Sequence, residues 1–512
     1  MKYDVVIIGS GLGGLLCANI LAGEGMKVCV LEKNKRIGGC LQIFARDKCI
    51  FNTGLNYTEG LAEGQILHTY FKYFGIIDKL KLRQMDIDGF EVITFKGKEY
   101  RFAQGKDNFI EKLAADFPKE RAAIEKYVEK LAAICSRFPL YNLDIEDDKN
   151  IDYAKLFSES AYDYIKSITS DTTLQNVLLG NNLLYGGVPD KTPLYLHALI
   201  TYSFISSSWR LVNGSQQLAS AIAENIKKNG GHIRCMSEVT QLHIEDGKVK
   251  HALINKDEII EARYFISNTH PANTLKLTDS KRFTKAYRNR IEGLENTMSF
   301  FSLYIVFKEN SFPYLNHNHY NYENDSVWST ATYDKENWPQ SYLFYTPAQS
   351  KSLQYADCAL ALTYMKYDEV KKWENTGLKN RGASYSTFKK EKAERFITLL
   401  EKKFPGLRSK IKTYYTSTPL TYRDYTGTPE GTAYGILKNF NEPYKTLVMP
   451  KTRIPNLIFT GQNLNIHGIL GVSIGAVMSC GEILGLKYLL DKIRLVVDDR
   501  TCEKAVAPRK TV

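Results

Sequence analysis

The chain has 512 residues, 44% hydrophobic and 24% charged, the proportions of a globular protein large enough for two domains rather than of a disordered or fibrous chain. No run of 18 uninterrupted apolar residues marks a membrane span, and nine cysteines without a CxxC pair, with nine dispersed histidines, indicate neither a zinc ribbon nor a secreted disulfide framework; no metal is assigned. The net charge of +12 comes partly from Lys371-Lys372, Lys389-Lys390 with Lys392, and Lys402-Lys403, which read as solvated helix faces able to draw the protein to an anionic membrane or an acidic substrate; no nucleic-acid motif accompanies them.

Tyr3 to Ile8 reads as a short apolar strand that runs into Gly9-Ser10-Gly11-Leu12-Gly13-Gly14. Residues 15–21 continue as an apolar helix and residues 27–31 as a second strand. That order is the dinucleotide-binding fingerprint. Gly9 permits the tight turn, Gly11 leaves space for a pyrophosphate, Gly14 allows close helix–strand packing, and the helix N-terminus supplies amide donors. Glu32, 18 residues beyond Gly14, ends the second strand where a carboxylate accepts hydrogen bonds from an adenosine ribose. The apolar N-terminal run therefore reads as a strand rather than a secretion signal, and a cytoplasmic protein, peripherally associated with membrane, is expected.

A polar connection, Lys33-Asn34-Lys35-Arg36-Ile37-Gly38-Gly39, follows, with Arg36 offering a charged fork and the glycines close approach. Helical patterns cover residues 64–74, 108–117 and 119–138, and helix-rich sequence continues to 206 with a break at Gly186-Gly187-Val188-Pro189. Residues 216–229 read as a helix, 232–236, 238–245 and 248–255 as strands, and 261–267 as a return to the main sheet. His317-Asn318-His319 reads as a polar loop. Strong β-patterning then marks 298–307, 341–345 and 359–364, before a charged helix near 388–404. Leu457 to Gly461 and a glycine-rich helix start at 468–475 close the pattern.

The chain resembles, over nearly its whole length, the phytoene desaturase and carotenoid isomerase superfamily of FAD-dependent oxidoreductases, particularly the retinol saturase-like branch. Gly9, Gly11 and Gly14 match its FAD fingerprint, Glu32 its ribose-binding acid, and Arg36, Gly38 and Gly39 its arginine–glycine motif. Asn213-Gly214 stands where the family has a glycine motif, and Val239 where a strand meets the adenine end of FAD. Thr418-Pro419-Leu420-Thr421, Asp424-Tyr425, Gly427, Pro429-Glu430-Gly431 and Ala433-Tyr434-Gly435 resemble the saturase segment. Thr460-Gly461-Gln462 and Gly468-Ile469-Leu470-Gly471 resemble the closing FAD motif. Relatives often carry an aspartate–threonine–glycine segment followed by histidine. This chain reads Asn52-Thr53-Gly54-Leu55-Asn56-Tyr57 instead.

The resemblance implies an α/β fold, a Rossmann-type FAD-binding domain with an inserted mixed α+β substrate domain. The FAD domain is expected from 1–75, 206–285 and 441–490, the substrate domain from 76–205 and 286–440, and a tail from 491–512. The expected FAD-binding residues are Gly9, Ser10, Gly11, Leu12, Gly13, Gly14, Glu32, Lys33, Arg36, Gly38, Gly39, Val239, Gly461, Gln462, Gly471 and Val472. A flavin suits the reduction or movement of a carbon–carbon double bond, with a nearby acid supplying the proton. Tyr57 is the first candidate for that acid, Tyr425 and His467 are weaker ones, and Asn56 offers hydrogen bonds without ordinary acid–base chemistry. The expected substrate is an apolar lipid, polyene or isoprenoid, in a tunnel lined from 298–307 and 183–209. NAD(P)H as a transient visitor, or another redox donor, is the expected electron source, since one dinucleotide fingerprint is evident. The implied function is a saturase; a reduced-FAD-dependent cis–trans isomerase or desaturase, and a noncatalytic flavin-bound lipid carrier, are the alternatives.

Overall fold

Val5, Val6, Ile7 and Ile8 leave neither face of the first strand suited to water, so Lys2–Ile8 takes the middle of a parallel sheet. In the computed structural model, which describes residues 2–143, 151–378 and 380–505, it pairs with Val28–Leu31 on one side and Glu258–Ser267 on the other. His232–Arg234 adds to the Val28–Leu31 edge, and Leu457–Phe459 pairs with the C-terminal end of Glu258–Ser267. Helices Leu12–Gly23, Gln216–Lys228 and Gly468–Leu484 pack on one face. The antiparallel meander of Val239–Glu245, Lys248–Ile254 and Glu258–Ser267 closes over the other.

A second, mixed sheet runs in the order Ile411–Ser417, Ser299–Phe307, Cys358–Met365, Ser341–Tyr345, Asn318–Tyr322, Glu91–Phe95, Lys98–Phe102. Ser299–Phe307 is buried at every position because both faces of this sheet are covered. Phe301, Leu303, Ile305 and Phe307 meet helix Gly382–Lys403, whereas Phe300, Tyr304 and Val306 enter the core built with helices Arg121–Cys135 and Leu194–Ser206.

Three readings of the sequence are corrected here. His317-Asn318-His319 is not a polar loop: Asn318–Tyr322 is a buried strand, its amide satisfied in part by Arg210, whose Nη2 donates to Asn318 Oδ1 at 2.9 Å. Lys392 is not a solvated lysine; it is buried, ion-paired to Glu369 and 4.3 Å from the Trp338 ring centroid. The tail drawn from 491 begins inside helix Leu486–Ala505, where Leu489, Leu490 and Ile493 are buried; residues 506–512 of it lie outside the described residues. Strands Glu91–Phe95 and Lys98–Phe102 were not read from the sequence at all. They form a hairpin whose Lys96 and Gly97 both have positive φ, 51° and 78°, so the Lys-Gly pair was the available signal.

Candidate functional site

Gly9 leaves the first strand at φ 93°, in the left-handed region, and turns the chain into helix Leu12–Gly23. A Cβ on Gly14 would stand 2.1 Å from the Gly9 carbonyl oxygen, so the helix can lie this close to the strand only with glycine there. Gly11 caps the helix without any side-chain hydrogen bond, leaving its first amides to another acceptor, and Gly9 to Gly13 line the adjoining cavity. Asn268, directly after Glu258–Ser267, wedges between this turn and Gly461. Its Nδ2 donates to the Gly9 carbonyl at 3.4 Å, and a Cβ on Gly11 would come within 2.7 Å of that nitrogen.

Glu32 is buried beside the turn. Its Oε2 accepts from the Ser10 amide at 3.0 Å and the Ser10 hydroxyl at 2.5 Å. Its Oε1 accepts from the Asn34 amide at 2.8 Å and Asn34 Nδ2 at 2.9 Å. Lys33 and Val239 line the cavity at this end, and Gly38 and Gly39 line it beside the turn. Uncapped helix amides, a glycine cradle and a buried carboxylate make a donor–acceptor set that fits the diphosphate and ribose of FAD.

The cavity, about 610 Å³, runs on past the N-terminus of helix Gly468–Leu484, where Gly461, Gln462, Gly471 and Val472 line it. That terminus is held by Glu59, whose Oε1 accepts from the Leu470 amide at 3.2 Å and whose carboxyl is pushed up by burial. Leu183, Leu199, Phe204, Phe300, Leu360 and Leu362 make the far wall apolar. From 298–307 the wall takes Phe300; Phe301, Leu303, Ile305 and Phe307 point to the opposite face, and Tyr304 and Val306, on the Phe300 face, are packed in the core away from the cavity.

Tyr57 stands in this far wall, its ring centroid 4.6 Å from that of Phe204 and tilted 39° to it. Its Oη is hydrogen-bonded to Glu91 Oε1 and lies 2.7 Å from Tyr320 Oη. Burial raises the Tyr57 phenol well above its ordinary value of 10, so it keeps its proton at neutral pH. Asn56 also lines the cavity and accepts from Tyr345 Oη at 2.6 Å. Asn52 is committed elsewhere: its Oδ1 accepts from the Ser215 amide at 3.0 Å.

The remaining candidates do not gather at Tyr57 as proton donors. Tyr425 lies at the Glu32 end, 53% exposed, its carbonyl accepting from Asn34 Nδ2 at 3.0 Å. His467 lines the cavity, but its Nε2 lies 2.9 Å from the Leu184 carbonyl and its ring is 4.4 Å from that of Tyr434. Burial pushes its imidazole down to about 4, so at neutral pH it is uncharged and its one N–H is used on that carbonyl. Arg36 is exposed and is not among the cavity-lining residues; its backbone carbonyl accepts from Gln42. Sequence reasoning missed Asn268, Glu91 and Tyr320. Glu91 opens the unrecognised hairpin, and Tyr320 lies in a strand whose first two residues, Asn318 and His319, were read as loop.

Solved structures share this fold. An oxidoreductase from Methanosarcina mazei superposes with a TM-score of 0.63 over 93% of this chain and 99% of that one, at 18% identity. Putrescine oxidase superposes at 0.64, over 94% and 99%, at 14% identity. In sequence, all-trans-retinol 13,14-reductase of Rattus norvegicus is 26% identical over 94% of this chain and 86% of its own length. Prolycopene isomerase of Daucus carota is 24% identical over 95% and 81%. Residues 12–472, from the start of helix Leu12–Gly23 to the first turn of helix Gly468–Leu484, match the model for flavin-containing amine oxidoreductases, and the chain belongs to that family.

Proposed function

We propose that this protein is an FAD-dependent oxidoreductase that reduces a carbon–carbon double bond in an apolar polyene, isoprenoid or unsaturated lipid. The observation that carries the reading is one continuous cavity joining the glycine turn and Glu32 to an apolar chamber with the Tyr57 phenol in its wall. Bound FAD supplies the hydride chemistry for such a reduction. Phe204, Phe300 and Leu362 keep that chamber dry, Asn56 is oriented by Tyr345, and Tyr57 holds a proton at Oη for the carbon that does not receive hydride. The electrons enter from transiently bound NAD(P)H or another redox donor, and the excess positive charge brings the protein to lipid surfaces.

The test uses purified FAD-loaded protein, reduced without oxygen and incubated with all-trans-retinol, the compound named for the Rattus norvegicus relative. Reoxidation of the flavin with a product heavier by two hydrogen atoms is the expected result. Tyr57→Phe retains FAD and lowers turnover by about a hundredfold; unchanged turnover removes Tyr57 from the chemistry. The prolycopene isomerase relative favours one second reading, redox-neutral isomerisation. A product of unchanged mass and altered geometry selects it, and failure of any substrate to reoxidise the flavin selects a carrier.

A further inference from the structure

Behind Tyr57 stands a carboxyl group for which the proposed reaction has so far had no use. Glu91 is completely buried in an apolar core, and its Oε2 has no hydrogen-bond partner. Its other oxygen is bonded to Tyr57 Oη. Strand register makes the arrangement: Glu91 pairs in parallel with Asn318, so Tyr320, two residues on, projects to the same side as Asn318 and reaches the same hydroxyl. A buried carboxylate with one bare oxygen is costly, whereas the neutral acid needs fewer partners.

We propose that Glu91 is a protonated carboxylic acid whose O–H donates to Tyr57 Oη, and that with Tyr320 it directs the Tyr57 proton into the cavity and replaces it after transfer. A phenol oxygen has one proton to give and room to accept two hydrogen bonds. With Glu91 Oε1–H and Tyr320 Oη–H both donating, the Tyr57 proton is the one left to face the substrate, and both donors stabilise the phenolate as it forms. The catalytic consequence rests on the proposed double-bond reduction. There, with the hydride being what reduced FAD would supply when bound, the Tyr57 Oη–H bond breaks as a C–H bond forms at the carbon that does not receive it. The Glu91 proton then moves to Oη, and the carboxylate regains a proton from solvent water before the next turnover. Glu91 acts through Tyr57 and is a positioning residue.

The surrounding charges agree with this placement. Burial raises the Glu91 carboxyl from 4.5 to about 8, with the Tyr57 and Tyr320 hydroxyls drawing it part of the way back. Tyr127, Tyr185 and Tyr322, the other titratable groups that feel Glu91, are themselves held protonated by burial. His197, bonded to Tyr127 and Tyr185, is kept neutral, pushed down to about 3. Arg210, the buried cation that faces Tyr57, spends its Nη2 on the His317 carbonyl and Asn318 Oδ1.

Infrared spectroscopy of the full-length, FAD-loaded protein tests the assignment without substrate. A protonated-carboxyl C=O band is expected at neutral pH, absent in Glu91→Gln, displaced in Tyr57→Phe, and fading as pH rises through about 8. A spectrum in which Glu91→Gln removes no such band, or in which Tyr57→Phe leaves the Glu91 band in place, overturns the proposal; the Glu59 carboxyl, also raised by burial, is touched by neither substitution. With all-trans-retinol as probe, Glu91→Gln keeps a donor toward Tyr57 but no transferable proton. It lowers kcat by about a hundredfold with KM unchanged and abolishes the alkaline fall of the wild-type pH profile; persistence of that fall also overturns the proposal. A wild type that never reduces the probe refutes the proposed function instead, and the infrared arm still decides the protonation of Glu91.

Discussion

Replacing Glu91 by glutamine removes a cost to stability that grows from acid toward neutral pH and follows a calculable course. The unfolded chain releases this proton at the ordinary 4.5, whereas the folded protein keeps it to about 8. Between those values the folded state binds more protons than the unfolded one, so the Glu91 contribution to stability falls as pH rises. Below 4.5 both states are protonated and the contribution is flat. At pH 7 the interval is about 2.5 pH units, worth about 3 kcal/mol at 1.36 kcal/mol per unit, and the loss levels off above the folded value. Glutamine is neutral in both states and carries none of this dependence. Any fixed packing difference between the two side chains is the same at every pH, so it cancels from the slope. For a chain of 512 residues melting together, about 3 kcal/mol corresponds to about 3 °C in Tm. Circular dichroism melts of wild type and Glu91→Gln at matched pH values from 4.5 to 8 read the difference directly. A difference independent of pH, or one that grows toward acid, refutes a buried neutral carboxyl.

Gly14→Ala puts a methyl group 2.1 Å from the Gly9 carbonyl oxygen, a backbone atom with little room to yield, so the purified variant is expected to lose FAD and to melt several degrees lower; retention of flavin absorbance through gel filtration counts against the tight-packing argument. Asn268→Ala empties the notch between Gly9 and Gly461 and is expected to weaken FAD by about tenfold, the value of one hydrogen bond, as measured by fluorescence titration of the apoprotein. His467→Gln retains a side-chain N–H for the Leu184 carbonyl and is expected to keep turnover within a few-fold, whereas His467→Ala lowers stability by about 1 kcal/mol; a hundredfold loss of kcat in the glutamine variant restores histidine as an acid.

The glycine turn, the two strands around it and Glu32 were legible because their signals are local. Gly9 to Gly14 must make a tight turn and a close helix contact within a few residues, and only one residue type permits both. Helix and strand periodicity likewise marked Gln216–Lys228, Ser341–Tyr345 and Cys358–Met365 close to their observed limits. Asn318–Tyr322 was misread for a complementary reason: His, Asn and Tyr are polar in isolation, and the strand is buried only because Arg210 and the neighbouring strands satisfy it. Burial pattern likewise could not separate Phe300 from Phe301, since a strand covered on both faces shows no alternation of polarity.

What the sequence determined by itself is the local apparatus, a glycine turn, its helix and an acidic residue at the required spacing, because backbone geometry over some thirty residues dictates it. Which side chains meet at the far end of the cavity was decided only by tertiary structure. Tyr57 reaches Glu91 across 34 residues and Tyr320 across 263, through the parallel register of Glu91–Phe95 with Asn318–Tyr322. No spacing encodes that encounter, because strands from distant parts of the chain must pair before a buried carboxyl and two phenols share one hydrogen-bonded oxygen.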